Sequence, residues 1–158
     1  MTETSFGKVA ILMGSASDMD VMKPAQTVLE EFNITCEVHV ISAHRTPHRA
    51  IEFASNAADA GFDVIIAGAG AAAHLPGVLA ALTPLPVIGV PVKSAALNGM
   101  DSLLSIVQMP SGVPVATVAI DGAKNAGILA AEIIGVRSPE VRKSIIEFKK
   151  KLAEQVGK

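Results

Sequence analysis

The sequence predicts a single α/β domain built on a parallel sheet with helices on both faces. Three observations carry that expectation. Apolar runs of strand length alternate with helix-length stretches along all 158 residues, which is the signature of successive strand–helix units. The first run, Val9 to Met13, is apolar without interruption, as a strand covered on both faces requires. No repeat, linker or shift in composition divides the chain, and its length suits one domain.

The elements follow in order. Residues 1–6 are expected to form a disordered tail. After the first strand, Gly14-Ser15-Ala16-Ser17-Asp18 turns into a helix that reaches Phe32. Such a turn offers backbone N–H groups and hydroxyls to an anion. Ser17 or Asp18 serving only as a helix cap explains the same residues. Pro24 cannot donate to the Asp20 carbonyl, so an irregular start to this helix is expected. The second strand runs from Thr35 to Ile41, with Glu37 and His39 alternating with Cys36, Val38 and Val40, which predicts one less buried face. Ser42-Ala43-His44-Arg45-Thr46-Pro47 comes next. Thr46 is the expected N-cap and Pro47 the first helical residue of a helix over His48 to Ala60, which Gly61 ends.

Asp63 to Ala67 is the third strand. The loop from Gly68 to Gly77 is rich in Gly and Ala, which lets backbone approach a ligand closely. It lacks the G-x-G-x-x-G spacing and follows the third strand, so it is not a dinucleotide fingerprint. Leu75 to Leu82 is helical and Pro86 to Val90 is the fourth strand. A loop from Lys93 to Met100 leads into a short helix, Asp101 to Val107. Pro110 to Pro114 turns into the fifth strand, Val115 to Ile120. Asp121-Gly122-Ala123-Lys124-Asn125 opens an Ala-rich helix to Ile134, ended by Gly135. Ser138-Pro139-Glu140 begins the last helix, over residues 138–157, with a capping serine, a first-position proline and an acid at the positive end of the dipole. Val141, Ile145, Phe148, Leu152 and Val156 make it amphipathic, and it is expected to pack on a neighbouring subunit.

Composition excludes several classes. A net charge of −2 gives no basic field for nucleic acid or an anionic membrane. No apolar run reaches spanning length without Gly, Pro or His. The lone Cys36 and the polar start point to a cytoplasmic protein. Between Val64 and Ile120 the only charged residues are Lys93 and Asp101. Outer helices of a monomer need a polar face, so this stretch predicts a homo-oligomer with apolar interfaces.

Three small, polar turns each follow a strand: Gly14 to Asp18, Ser42 to Pro47 and Gly68 to Gly77. All three should emerge at the carboxyl edge of the sheet, where open α/β proteins bind ligands. His44 beside Arg45 in the second turn suggests proton transfer on an anionic substrate, although a loop whose His and Arg merely face water is common. His44 and His48 are four apart, but a helix starts between them, so they do not form a metal pair on one face.

Four segments carry a resemblance: Gly14-Ser15-Ala16-Ser17-Asp18, Ser42-Ala43-His44-Arg45-Thr46-Pro47, His74-Leu75-Pro76-Gly77 and Asp101-Ser102-Leu103-Leu104-Ser105-Ile106-Val107-Gln108-Met109-Pro110. In order and over nearly the whole chain, the sequence resembles the N5-carboxyaminoimidazole ribonucleotide mutases of purine biosynthesis. The resemblance implies a three-layer α/β/α sandwich with a flavodoxin-like sheet, and a homo-octamer. It implies conversion of N5-carboxyaminoimidazole ribonucleotide to 4-carboxyaminoimidazole ribonucleotide with no cofactor and no metal, and coupling to the synthetase that makes the labile substrate. A related branch carboxylates aminoimidazole ribonucleotide with free carbon dioxide; it typically has Lys-Gly-Pro after the shared Ala-His. Arg45-Thr46-Pro47 and His74-Leu75-Pro76-Gly77 favour the mutase branch. Two positions depart from the family pattern. Ala71 stands where Gly is usual, and a shortened segment around Asp121 carries an acid where Gly is expected.

By resemblance, Ser15, Asp18 and Arg45 bind substrate and His44 carries the proton. Arg45 is suited to grip phosphate in a forked geometry, with Ser17 and Ser42 adding hydroxyls. Asp18 can accept from two ribose hydroxyls. Backbone N–H groups of Gly70, Ala71 and Ala72 can hold the migrating carboxylate, with Leu75 beside it and His74 either lining the same space or serving a structural role. An imidazole, which ordinarily titrates at about pH 6.5, can both give and take a proton. A flavodoxin-like nucleotide-binding module without catalysis is the competing class, but the chain has no Trp or Tyr to sandwich a flavin. A purely structural oligomer would leave the three polar turns without a role.

Overall fold

A computed structural model describes residues 5–156. Its sheet has five strands, all parallel, in the order β2-β1-β3-β4-β5. They are β1 (Lys8–Met13), β2 (Thr35–Val40), β3 (Val64–Gly70), β4 (Val87–Val92) and β5 (Ala116–Thr117). The α-helices among the described residues are α1 (Met19–Glu31), α2 (Pro47–Asn56), α3 (Leu75–Ala80), α4 (Met100–Val107), α5 (Ala123–Gly135) and α6 (Pro139–Gln155). This is the expected three-layer sandwich, with the flavodoxin-like strand order.

The pleat of β1 sends alternate side chains to opposite faces. Val9, Ile11 and Met13 join Val28 and Leu29 of α1 and Ala126 and Ala130 of α5 in one core layer. Ala10 and Leu12 join Ala50 and Ala54 of α2, Leu79 of α3 and Ile106 of α4 in the other. Small residues let α1 and α5 approach closely: a Cβ on Gly127 would overlap Val28 and lie 2.9 Å from the Ala25 carbonyl. The apolar stripe of α6 is partly used at home. Val141 and Ile145 are buried, and Phe148 meets Phe32 edge-on at 5.6 Å. Leu152 and Val156, from the same stripe, are exposed.

Several boundaries differ from expectation for local reasons. A 3-10 turn, Ala16–Asp18, precedes α1, which contains Pro24 and is helical from Met19; the irregular stretch thus lies before the helix, under the Ser15 cap, and not around Pro24. Helix α2 stops at Asn56 and closes in a C-terminal turn. There the N–H of Phe62 donates to Ala57 and that of Gly61 to Ala58, with Gly61 at φ +82°; this is the Schellman arrangement. β5 is two residues long, not six. The Pro91 carbonyl accepts from the Asp121 N–H at 2.8 Å, so the N–H that Pro91 lacks would have faced β5 too, and the ladder ends there. Residues 1–4 of the expected tail lie outside the described residues, as does residue 157 of the expected last helix. Ser5 and Phe6 are tied in: the Phe6 N–H donates to the Asn33 carbonyl at 3.2 Å, and Thr35 Oγ1 donates to Ser5 Oγ at 2.7 Å. Among the described residues, no helix is long and apolar enough to cross a membrane.

Candidate active site

The strand order puts β1 between β2 and β3. The turns that follow these three strands are therefore neighbours at the carboxyl edge, at the point where the chain's path across the sheet reverses. They enclose a cavity of about 410 Å³ lined by Ser15, Asp18, Ser42, His44, Arg45, Gly70, Ala72, His74 and Leu75, together with Gly14, Ala43 and Ala69. Nine of the eleven residues expected from the sequence thus line one space. Ser17 and Ala71 do not.

The first turn is shaped by Ser15. Its hydroxyl oxygen accepts from the Ser17 N–H at 3.3 Å and from the Ser17 hydroxyl at 2.9 Å. Ser15 thus caps the 3-10 turn, while Asp18 holds the N-cap position of α1 without a side-chain cap bond. Ser17 does not line the cavity itself but acts on two residues that do, Ser15 and Asp18.

The second turn is a closed ring. The Thr46 hydroxyl accepts from the Ser42 N–H at 3.0 Å and donates to the Ser42 carbonyl at 2.9 Å. This explains why Thr46 does not cap α2 as expected: its side chain faces back into the loop. The Ser42 hydroxyl accepts from the Arg45 N–H at 3.1 Å. His44 and Arg45 are left on the outside of the ring. Arg45 reaches across and donates to the Gly14 carbonyl at 3.2 Å, joining the first and second turns.

The third turn brings His74 to His44. Nε2 of His44 lies 2.7 Å from Nδ1 of His74, with the ring planes at 84°. At that distance one imidazole donates and the other accepts, so the pair holds a single hydrogen between them. Ala71 has φ +51°. A side chain in this left-handed region costs roughly 1–2 kcal/mol, so the departure from Gly falls where Gly matters. Its N–H donates to the Ser102 hydroxyl at 2.8 Å, and the N–H groups of Ala73 and His74 donate to the Ala71 and Ala72 carbonyls, both at 2.9 Å. Ala71 therefore cannot offer its N–H to a carboxylate, which leaves Gly70 and Ala72, whose N–H groups enter none of these bonds. The second departure, Asp121, also has positive φ, +58°. Its carboxylate accepts from the Lys93 N–H at 2.8 Å, and Asp tolerates this region better than Ala.

Asp18 brings the acid. Burial pushes its carboxyl above the usual carboxylate value; hydrogen bonding from Ser17 and from the Ser15 backbone opposes this, and the charge of Asp121 adds to it. A raised carboxyl favours the neutral acid in the fold. Its stabilising contribution is complete below the unfolded value of about 3.9 and is lost as pH rises through the raised folded value. Asp18→Asn is therefore expected to unfold at a higher temperature than the parent at about pH 7, and to lose that advantage at about pH 3. An equal gap at both pH values, in thermal scans, would contradict this account.

Arg49 was not expected at the site. It lies one helical turn beyond Arg45 and lines an adjoining hollow of about 330 Å³ shared with Ser15, Ser42, Arg45 and Thr46. Neither arginine forms an ion pair among the described residues. The i, i+4 spacing was the available signal, hidden because the helix starts between the two. The cavity thus has a guanidinium side, an acid at Asp18 and an imidazole pair.

Fold and crevice together define a class: an α/β protein of flavodoxin-like topology with a titratable pocket at the carboxyl edge of its sheet. A family model described as AIR carboxylase matches residues 8–155, and the chain belongs to that family. Relatives include the N5-carboxyaminoimidazole ribonucleotide mutase of Thermotoga maritima, 60% identical over 94% of this chain and 87% of that protein. The mutase of the same name from Pyrococcus horikoshii is 61% identical over 94% of this chain and 84% of that protein. Among solved structures, the crystal structure of Treponema denticola PurE superposes with a TM-score of 0.84 at 28% identity, covering 94% of this chain and 93% of that one.

Proposed function

We propose that this chain is an N5-carboxyaminoimidazole ribonucleotide mutase acting in purine biosynthesis. It moves a carboxyl group from the exocyclic nitrogen to the ring carbon of the aminoimidazole. The observation that carries the reading is the imidazole pair at 2.7 Å beside Arg45 in one cavity. In the first step the N–C bond to the carboxylate breaks, carbon dioxide is released into the cavity, and the nitrogen gains a proton from His44. In the second, the ring carbon bonds to carbon dioxide and surrenders its proton to the same imidazole. The two transfers are opposite in sense, so the enzyme ends each turnover as it began.

Asp18 accepts hydrogen bonds from the ribose and Arg45 holds the phosphate, with Ser15 and Ser42 beside it. The Ala72 N–H and the small walls of Ala43, Ala69 and Gly70 retain the carboxyl group. Arg45→Ala is expected to raise KM by about 10–100-fold, the worth of a charge-assisted contact, with a smaller change in kcat. An unchanged KM in steady-state kinetics would remove Arg45 from the phosphate site.

The working form is a homo-octamer in the cytoplasm that receives its labile substrate from the synthetase. Support for assembly comes from the outer face of α4 and the preceding loop, where Leu97, Met100, Leu104 and Val107 are 45–59% exposed.

The family description also names a carboxylase, so one assay separates the two. Each ribonucleotide is supplied alone, without added bicarbonate, and product absorbance is followed. The mutase converts the N-carboxylated nucleotide rapidly and leaves aminoimidazole ribonucleotide unchanged. The reverse preference would overturn the proposal.

A further inference from the structure

Ser102 lies on α4, outside the cavity lining. Among the described residues it is the polar side chain that is fully buried, with 0% exposure. Its hydroxyl donates to the Val92 carbonyl at 2.7 Å and accepts from the Ala71 N–H at 2.8 Å. Val92 ends β4 and stands in register with Gly70, the last residue of β3. One hydroxyl thus locks the end of β4 to the first residue beyond β3.

That first residue is Ala71, held at φ +51°. An L-residue stays in this region only when its surroundings over-determine it. The Ala71 carbonyl accepts from the Ala73 N–H at 2.9 Å, and the Ala72 carbonyl from the His74 N–H at 2.9 Å. These two tight turns lead directly to the imidazole that meets His44. Behind the clamp, the Asp101 carboxylate accepts from the Ser102 N–H at 2.9 Å and from the Ser94 hydroxyl. The Ser94 hydroxyl oxygen in turn accepts from the Gly99 N–H at 3.1 Å. Ser102 is therefore fixed at both of its ends.

We propose that Ser102 is a positioning residue for the reaction: by clamping Ala71 in its left-handed conformation it aims the His74 ring at His44. The inference rests on the assignment of the His44–His74 pair to the active site. Removing the hydroxyl orphans the Ala71 N–H and the Val92 carbonyl together. The loop then relaxes toward an ordinary negative φ, and His74 swings away from His44.

The test compares the parent with Ser102→Ala and Ser102→Cys; the latter fills the same space with a poor hydrogen-bond donor. Thermal scans and light scattering establish that each variant folds and assembles. Ring-nitrogen NMR shifts of the histidines report which nitrogens of His44 and His74 carry or share a hydrogen. Loss of the shared-hydrogen signature is expected in both variants, with kcat down at least tenfold and KM changed less than threefold. Ser102→Cys decides the matter if Ser102→Ala does not fold. A folded variant that keeps the parent's ring-nitrogen shifts and its kcat would overturn the proposal. So would a variant whose apparent kcat falls only in proportion to its folded fraction. His44→Asn serves as the separate check on the site. If that variant keeps full activity, the site reading fails, and the NMR comparison still decides whether Ser102 aims His74.

Discussion

His44→Asn is expected to fold and assemble like the parent, to bind nucleotide within a few-fold of it, and to lose turnover by about 10²–10⁴-fold. Folding is spared because the ring of hydrogen bonds that shapes the second turn runs through Ser42, Arg45 and Thr46 and not through the His44 side chain. His44 is also exposed, so no core contact is lost. Binding is spared because Arg45, Asp18 and the hydroxyls remain. An amide, however, neither gives nor takes a proton near neutral pH, and both halves of the reaction need that transfer. The check is kcat against KM, with nucleotide affinity measured separately by calorimetry. Turnover within tenfold of the parent would take His44 out of the chemistry.

Leu104→Glu is expected to reduce the assembly to smaller species, down to the 16.2 kDa chain, without unfolding it. Leu104 is 52% exposed within the chain, so a carboxylate there meets water in the isolated subunit. In an apolar interface the same carboxylate is short of partners: Lys93 is the only cation between Val64 and Ile120, and it precedes α4 rather than lying on its outer face. Burying an unpaired charge is costly enough, several kcal/mol after relaxation, to dissociate a contact of this kind. Light scattering across a dilution series measures the mass. A variant that keeps the parent's mass at all concentrations would show that the outer face of α4 lies elsewhere.

Much of the fold was legible because it depends on short-range patterning. The continuous apolar run of β1, the Ser138-Pro139 start of α6 and the Gly61 stop each follow from a few adjacent residues. The features that escaped depend on neighbours distant in sequence. β5 is short because of Pro91, a residue of the strand beside it. Thr46 has the composition of a cap, but its hydroxyl is drawn into the turn by Ser42. The likeness of three polar turns placed them at one edge, and strand order alone then decided which residues touch. His44 and His74 are thirty positions apart, and they meet because the turns after β2 and β3 converge over the end of β1. Ser17 and Ala71 were legible as members of the turns but not as residues outside the cavity lining, because orientation in a loop follows its hydrogen bonds. Ser102 carried no signal beyond its place in the Asp101 to Pro110 segment, since a serine next to an aspartate at the start of a short helix reads as surface.

Pro91 also shapes one border of the sheet. A sheet border with unpaired amides is a template onto which a foreign strand can zip. On the β5 side that border is cut to two residues, too little to seat another molecule's backbone. Accretion by sheet extension is closed off at that border, so any contact between copies on that side would rest on side chains of helical surfaces. Contacts of that kind can satisfy a point group and stop at a finite number, whereas strand-by-strand growth has no natural end.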